Sequence, residues 1–178
     1  MLFLIGDYYD NEEEWISIVS LYLCDRMYAL NLPTAGERDK YKDRKQILWH
    51  CGGLAAKTFG TNKALEYDFA FICHLDHDDY WKPNHLKEIS NTIEEHGADW
   101  VCTLSTWGGT VIPILEKEKG KVIPFLPQPC NVIHSSTCYN YIKIPLRVRD
   151  TCAATGLSTP SDAAPGARLK EYNPQNMR

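Results

Sequence analysis

The sequence predicts an α/β fold in which helices cover a largely parallel sheet. Short apolar runs alternate with segments of helical spacing as far as about residue 150. Such alternation is typical of βαβ units, and in these sheets ligands bind outside the carboxyl ends of the strands. Beyond Thr151 the composition turns to Ala, Gly, Ser and Pro, which weakens the case for an ordered structure. We therefore expect a folded domain over 1–150 and a separate C-terminal segment over 151–178.

Composition and charge argue against several classes of protein, including nucleic-acid-binding and membrane-spanning proteins. The 178 residues suffice for one domain with a real core, and a net charge of −4 gives no basic surface for nucleic acid. No apolar stretch approaches a membrane span, and the first five residues are too short for a signal peptide, so we expect a cytoplasmic protein. The seven cysteines include no C-x-x-C pair, which predicts reduced, mostly buried thiols and no structural zinc site.

The first half of the chain begins with a predicted strand at 2–5 that ends before Asp7. Asp10 or Asn11 is expected to cap a helix whose first turn is acidic. The apolar positions of that helix have helical spacing: Trp15, Ile18, Val19, Tyr22 and Leu23. A second strand is predicted at 26–32, then a charged loop at 37–45 that could meet a diphosphate.

The second half continues the alternation. A helix at 54–67 leads into an apolar run at 70–75, and a helix at 83–96 follows with Leu86, Ile89 and Ile93 facing inward. Gly97 is expected to end that helix at its C′ position. The remaining predicted elements are a strand at 99–104, a hairpin of 111–115 with 122–126, a strand at 131–134 and a short helix at 135–144.

Three carboxylates, those of Asp76, Asp78 and Asp79, come directly after the apolar run. Carboxylates this close repel one another unless a cation lies between them, and Mg²⁺ prefers a few carboxylates together with substrate phosphates. The alternative is a solvated acidic turn without a ligand. A calcium loop is not predicted, because counting from Asp76 puts Trp81 at its glycine and Lys87 at its closing glutamate. Since Asp7 also follows a strand, we expect all these carboxylates to share one site.

Several motifs in order resemble a family 2 glycosyltransferase of the GT-A, nucleotide-diphospho-sugar type, from about Leu2 to about Leu169. The motifs are Ile5-Gly6-Asp7, Ala56-Lys57-Thr58-Phe59-Gly60, Leu75-Asp76-His77-Asp78-Asp79-Tyr80-Trp81, Ala98-Asp99-Trp100-Val101, Ser135-Ser136 and Pro160-Ser161-Asp162. The resemblance implies a GT-A-like (Rossmann-like) three-layer sandwich with a mostly parallel central sheet. The family's first strand has no counterpart, so we expect an N-terminally truncated sheet that finds its missing neighbour in a homo-oligomer or a strand-supplying partner.

The resemblance also implies roles for individual residues. Asp7 would bind the nucleobase, and Lys57 would stand where the family carries an arginine near the donor. Asp76 would hold the ribose side, and Asp78, with Asp76 beside it, would ligate Mn²⁺ or Mg²⁺. The general base would be Asp162, with Asp79 as its rival.

The reaction implied is inverting transfer of a sugar, most simply from a UDP-sugar donor, to a glycan, lipid or protein acceptor. Two other classes stay open: a degenerate, non-catalytic nucleotide-binding domain, and a nucleotidyltransferase. The second would need a glycine-rich phosphate loop after its first strand, which the sequence lacks. A processive polysaccharide synthase is not expected, because there is no Gln-x-x-Arg-Trp motif.

Overall fold

The computed structural model describes residues 1–44, 48, 53–112 and 134–144. The chain divides into two compact units, and within the described residues the boundary lies between Phe69 and Ala70. The predicted domain limit at residue 150 and the segment 151–178 lie outside the described residues, so that division stays a prediction.

The first unit opens as a βαβ arrangement. Strand β1 (Leu2–Gly6) pairs in parallel with strand β2 (Met27–Asn31), in a register that sets Gly6 opposite Asn31. Helix α1 (Glu12–Tyr22) connects them. Asn11 caps this helix, since its side-chain oxygen accepts from the Glu14 amide at 3.1 Å, and Glu12, Glu13 and Glu14 occupy the first turn. The predicted strands, helix and cap are confirmed.

The apolar side chains of α1 are less buried than their helical spacing suggests. None of the residues of α1 is buried in the described structure, and Ile16, Ile18, Leu21 and Tyr22 are exposed. Trp15 and Val19 are half-buried. The helical spacing of these positions therefore does not make Ile18, Tyr22 and Leu23 core residues within the part of the chain described.

Two further helices complete the described part of the first unit. Helix α2 (Glu37–Lys40) replaces part of the loop predicted at 37–45, and helix α3 (Leu54–Glu66) confirms the predicted helix. The face of α3 around Gly60 packs against β1, because a Cβ at Gly60 would lie 3.2 Å from Ile5 Cγ1. The chain that follows α3 packs aromatic rings against Phe3, with Tyr67 at 5.8 Å and Phe69 at 6.1 Å between ring centroids.

The second unit is built on a three-stranded sheet. Its strands are β3 (Phe71–Cys73), β4 (Trp100–Cys102) and β7 (Thr137–Asn140), in the order β3-β7-β4. Strand β7 is antiparallel to both neighbours, so β3 and β4 run in the same direction on either side of it. A separate hairpin joins β5 (Ser105–Trp107) to β6 (Thr110–Ile112) across Gly108-Gly109.

The mixed α/β class is confirmed, but a mostly parallel sheet is not found among the described strands. Only β1 and β2 pair in parallel there. The prediction of parallel pairing fails mainly because residues 135–144, which were predicted as a helix, contain strand β7. Its four residues are all buried, and Thr137 and Tyr139 belong to the β-branched and aromatic types that favour strands. The predicted hairpin at 111–126 lies mostly outside the described residues.

Helix α4 (His85–His96) covers the sheet of the second unit. Ile89 is buried and packs with Ala98, Val101 and Cys138, while Ile93 and Cys73 flank this core. Gly97 ends the helix in the left-handed region at φ 61°, and its amide donates to the Ile93 carbonyl at 2.8 Å, as predicted. Leu86 is 53% exposed, so its predicted inward position is wrong.

The four cysteines of the described residues are all free. Cys138 is buried, Cys73 and Cys102 are half-buried, and Cys24 is exposed, so the prediction of buried thiols holds for only part of the set. Burial raises the pKa of the Cys102 thiol to about 12, and the neighbouring Cys73 together with burial raises the pKa of Cys138. These two thiols therefore stay protonated at neutral pH.

Within the described residues, no helix combines the length and apolar character that a membrane crossing requires.

Candidate functional site

The acidic turn is a tight turn that follows strand β3. Its backbone closes where the Asp79 amide donates to the Asp76 carbonyl at 3.1 Å. Asp76 is half-buried, whereas His77, Asp78 and Asp79 are exposed. The structure therefore brings the three predicted carboxylates onto one turn and leaves two of them open to solvent.

Ser135 contacts both ends of this turn. Its hydroxyl oxygen accepts from the Asp76 amide at 3.0 Å, and its carbonyl oxygen accepts from the Trp81 indole Nε1 at 2.6 Å. Ser135 is buried and belongs to a 3₁₀ turn, His134–Ser136, that leads directly into β7. The 3₁₀ turn that precedes the central strand thus carries the residue that fixes the acidic turn.

The aromatic residues after the turn differ from each other. Trp81 stacks on His85 with ring centroids 4.7 Å apart, so it is a packing residue. Tyr80 is 86% exposed and does not pack. Burial lowers the pKa of His85, which favours the neutral imidazole, and its Nδ1 lies 3.4 Å from Thr103 Oγ1.

Two histidines lie on the sheet side of the turn. His74 Nε2 lies 3.0 Å from the Tyr141 hydroxyl, a hydrogen-bond distance, and its ring is 4.4 Å from that of the buried His134. His74 is thereby held within the unit by the segment that includes β7. This arrangement matches a structural polar lining behind the acidic turn.

Asp7 lies at the carboxyl end of β1, in the first unit. Its carboxylate Oδ2 forms an ion pair with Arg38 Nε at 3.2 Å, and Arg38 Nη2 also donates to the backbone carbonyls of Asp7 and Tyr8. The other carboxylate oxygen, Oδ1, is buried and has no hydrogen-bond partner among the described residues. Such an oxygen retains the capacity to accept from a ligand N–H group.

The loop after β1 is held in an unusual conformation. Tyr8 has a φ of 58°, which is rare for a bulky side chain. The side chain of Asn31, at the end of β2, makes two hydrogen bonds to the backbone of Tyr9. Its Oδ1 accepts from the Tyr9 amide and its Nδ2 donates to the Tyr9 carbonyl, both at 2.7 Å. Gly6 makes room for this contact, because a Cβ there would lie 2.6 Å from Asn31 Oδ1. Strained backbone held by several contacts is characteristic of ligand sites.

Replacing Asn31 with Ala is expected to lower the free energy of unfolding by about 1 kcal/mol, because both hydrogen bonds to Tyr9 are lost. Urea denaturation followed by circular dichroism measures the change. The Asn31→Asp variant is the matched comparison, since it keeps the acceptor for the Tyr9 amide but loses the donor. An Asn31→Ala variant as stable as the parent chain would contradict this description of the loop.

The remaining predicted residues divide between the two units and the undescribed chain. Lys57 lies in the first turn of α3, in the same unit as Asp7, and its amide donates to the Gly53 carbonyl at 2.9 Å. Asp76, Asp78 and Asp79 belong to the second unit. Asp162 lies outside the described residues, as do Pro160 and Ser161. The single site predicted for Asp7 and the acidic turn stays a prediction.

The described residues include no group of three or more His, Cys, Asp and Glu side chains that could hold a metal ion by themselves. A Mn²⁺ or Mg²⁺ ion bound together with a nucleotide needs only one or two carboxylates, since the phosphates supply further oxygen ligands. The half-buried Asp76 and exposed Asp78 on one turn fit that donor set. They do not fit a metal site formed without the nucleotide.

Sequence reasoning missed two residues, Ser135 as an anchor and Arg38 as the partner of Asp7. Ser135 lies 59 positions from Asp76, and Arg38 lies 31 positions from Asp7. No local pattern links residues so far apart. A cation in the charged segment 37–45 is the available signal for Arg38, but the sequence predicts that segment as a solvated loop that could meet a diphosphate.

The chain is similar over most of its length to a viral protein. The chain is 29% identical, over an alignment 179 residues long, to an uncharacterized glycosyltransferase of Acanthamoeba polyphaga mimivirus. The alignment covers 97% of this chain and 71% of that protein, so it spans both compact units. No protein-family model and no solved structure matches the chain.

Proposed function

We propose that this chain is a glycosyltransferase of the family 2, GT-A type. It moves a sugar from a nucleotide diphosphate donor, most simply a UDP-sugar, to a hydroxyl of a glycan, lipid or protein acceptor. The transfer inverts the anomeric carbon and depends on Mn²⁺ or Mg²⁺. The observation that carries the proposal is the similarity of nearly the whole chain to a relative named as a glycosyltransferase.

The acidic turn supplies the donor site of this proposal. Asp78 and Asp76 would hold the cation, and Asp76 would also hold the ribose side of the donor. A bound divalent cation neutralises the charge that develops on the leaving nucleotide. Support comes from the exposure of Asp78 and from the anchored backbone of Asp76, since a pre-positioned carboxylate loses little freedom when a ligand binds.

The base contact of this proposal is Asp7, as the family resemblance implies. Asp7 accepts the imide N–H of uracil, and support comes from its carboxylate Oδ1, which is buried without a hydrogen-bond partner among the described residues. Arg38 holds the carboxylate in place through Oδ2. Lys57 contributes a positive charge to donor binding. Asp162 or Asp79 removes the proton of the acceptor hydroxyl, so no covalent intermediate is needed.

The proposal is tested by replacing Asp78 with Asn and titrating UDP calorimetrically with and without Mn²⁺. The amide is a weaker metal ligand than the carboxylate, so the affinity for UDP in Mn²⁺ should fall about tenfold, while binding without metal stays as in the parent chain. Asp25→Asn removes an exposed carboxylate outside the proposed site and serves as the control. A parent chain that binds no UDP in either condition, or an Asp78→Asn variant with unchanged metal dependence, would refute the donor site.

A further inference from the structure

The acidic turn is mostly exposed, but its two ends are fixed to a buried residue. The exposed part comprises His77, Asp78, Asp79 and Tyr80. At one end the Asp76 amide donates to the Ser135 hydroxyl, and at the other end the Trp81 indole donates to the Ser135 carbonyl. One residue therefore sets the position of both ends.

Ser135 is itself held rigidly by the sheet. The next residue, Ser136, accepts at its carbonyl from the Thr103 amide at 2.9 Å, which ties the 3₁₀ turn to the chain leaving β4. Thr137 Oγ1 donates to the His134 carbonyl at 2.7 Å, which closes the same turn from the strand side. Because β7 lies between β3 and β4, Ser135 cannot shift without disturbing the central strand of the sheet.

A substitution of the Ser135 side chain removes one of its two contacts to the acidic turn and keeps the other. The contact to Trp81 uses the backbone carbonyl and survives any replacement of the side chain. The contact to Asp76 uses the hydroxyl and is lost in alanine. A variant at Ser135 can therefore release the Asp76 backbone while Trp81 stays attached.

We infer that Ser135 is a positioning residue, which holds the backbone of Asp76 so that the Asp76 and Asp78 carboxylates are aligned for a metal-bound nucleotide diphosphate. The inference rests on the proposed function for its ligand, but the anchor itself is a property of the fold. Losing one hydrogen bond to a buried serine loosens the turn, and the affinity for UDP with Mn²⁺ should fall about tenfold. Binding without metal should fall less, because only the ribose contact of Asp76 then depends on Ser135.

The experiment compares Ser135→Ala, Ser135→Thr and Thr137→Val with the parent chain. Threonine keeps the hydroxyl and is expected to restore the parent behaviour. Thr137→Val removes a buried hydroxyl from the same turn but not a contact to the acidic turn, so it reports general loosening. Each variant is titrated with UDP in Mn²⁺ and in EDTA, and hydrogen exchange of the peptide that includes the Asp76 amide is measured in the absence of any ligand.

The expected result is faster exchange at the Asp76 amide and a tenfold weaker Mn²⁺-dependent UDP affinity in Ser135→Ala alone, with both restored by threonine. If the parent chain binds no UDP while Ser135→Ala still exchanges faster, the proposed function fails and the anchor stands without its nucleotide role. If the parent chain binds UDP with Mn²⁺ and Ser135→Ala matches it in affinity and exchange, the inference is overturned. Equal losses in Thr137→Val would likewise overturn it, since they would reflect a loosened turn rather than a positioned carboxylate.

Discussion

Replacing Trp100 with Ala is expected to lower the free energy of unfolding of the second unit by about 3–5 kcal/mol. Trp100 opens strand β4 and is only 1% exposed, which makes it the largest side chain buried to this degree in the described structure. It lies opposite Tyr139 of the central strand β7. Truncation to alanine removes the buried indole and leaves a cavity. The strands around this cavity are held by their backbone hydrogen bonds, so they cannot move together to close it.

Urea denaturation followed by far-ultraviolet circular dichroism measures this effect as a shift of the midpoint. Leu86→Ala is the control, because Leu86 belongs to the same unit but projects from α4 into solvent, and the change there should stay within about 0.5 kcal/mol. Similar midpoints for the two variants would contradict the packing of β4 against β7.

The elements that local chemistry specifies were predictable from the sequence. Asn11 followed by three glutamates predicts the start of α1, and Gly97 predicts the end of α4, because caps and left-handed glycines act within a few residues. Asp76, Asp78 and Asp79 were predicted to share the end of a strand for the same reason: their neighbours in sequence are also their neighbours in space.

The position of β7 could not be predicted in this way. Its residues pair with β3, which lies more than sixty positions earlier, and with β4, so its identity as a strand depends on partners that the local sequence does not reveal. The segment 135–144 is short, and short apolar runs with aromatic residues are compatible with either helix or strand. Insertion of β7 between β3 and β4 also makes the sheet antiparallel where alternating strands and helices predict parallel pairing.

The contacts that organise the candidate site were missed for a related reason. A serine before a strand is most often a polar turn residue, and an arginine in a charged run is most often solvated. Only the fold brings Ser135 under the acidic turn and Arg38 against Asp7. The residue types of the site were thus predictable from the sequence, whereas the residues that hold them in position were not.

Replacing Asp162 with Asn is expected to reduce sugar transfer about a hundredfold or more while UDP binding stays as in the parent chain. A general base acts on the acceptor hydroxyl, and the carboxamide has nearly the same shape but cannot take up the proton. The loss should therefore fall on kcat rather than on donor affinity. Transfer is measured as UDP release from a UDP-sugar that the parent chain turns over, beside a calorimetric titration of each variant with UDP and Mn²⁺.

Asp79→Asn is the comparison that decides which carboxylate is the base. Asp79 is exposed on the acidic turn, and its contact to Asp76 uses the backbone amide, so the substitution leaves the turn closed. If Asp162 is the base, Asp79→Asn should retain most of the transfer activity, and the two variants should bind UDP equally well. Loss of transfer in Asp79→Asn together with full activity in Asp162→Asn would assign the proton transfer to the acidic turn and remove Asp162 from the mechanism, because one base suffices for an inverting reaction.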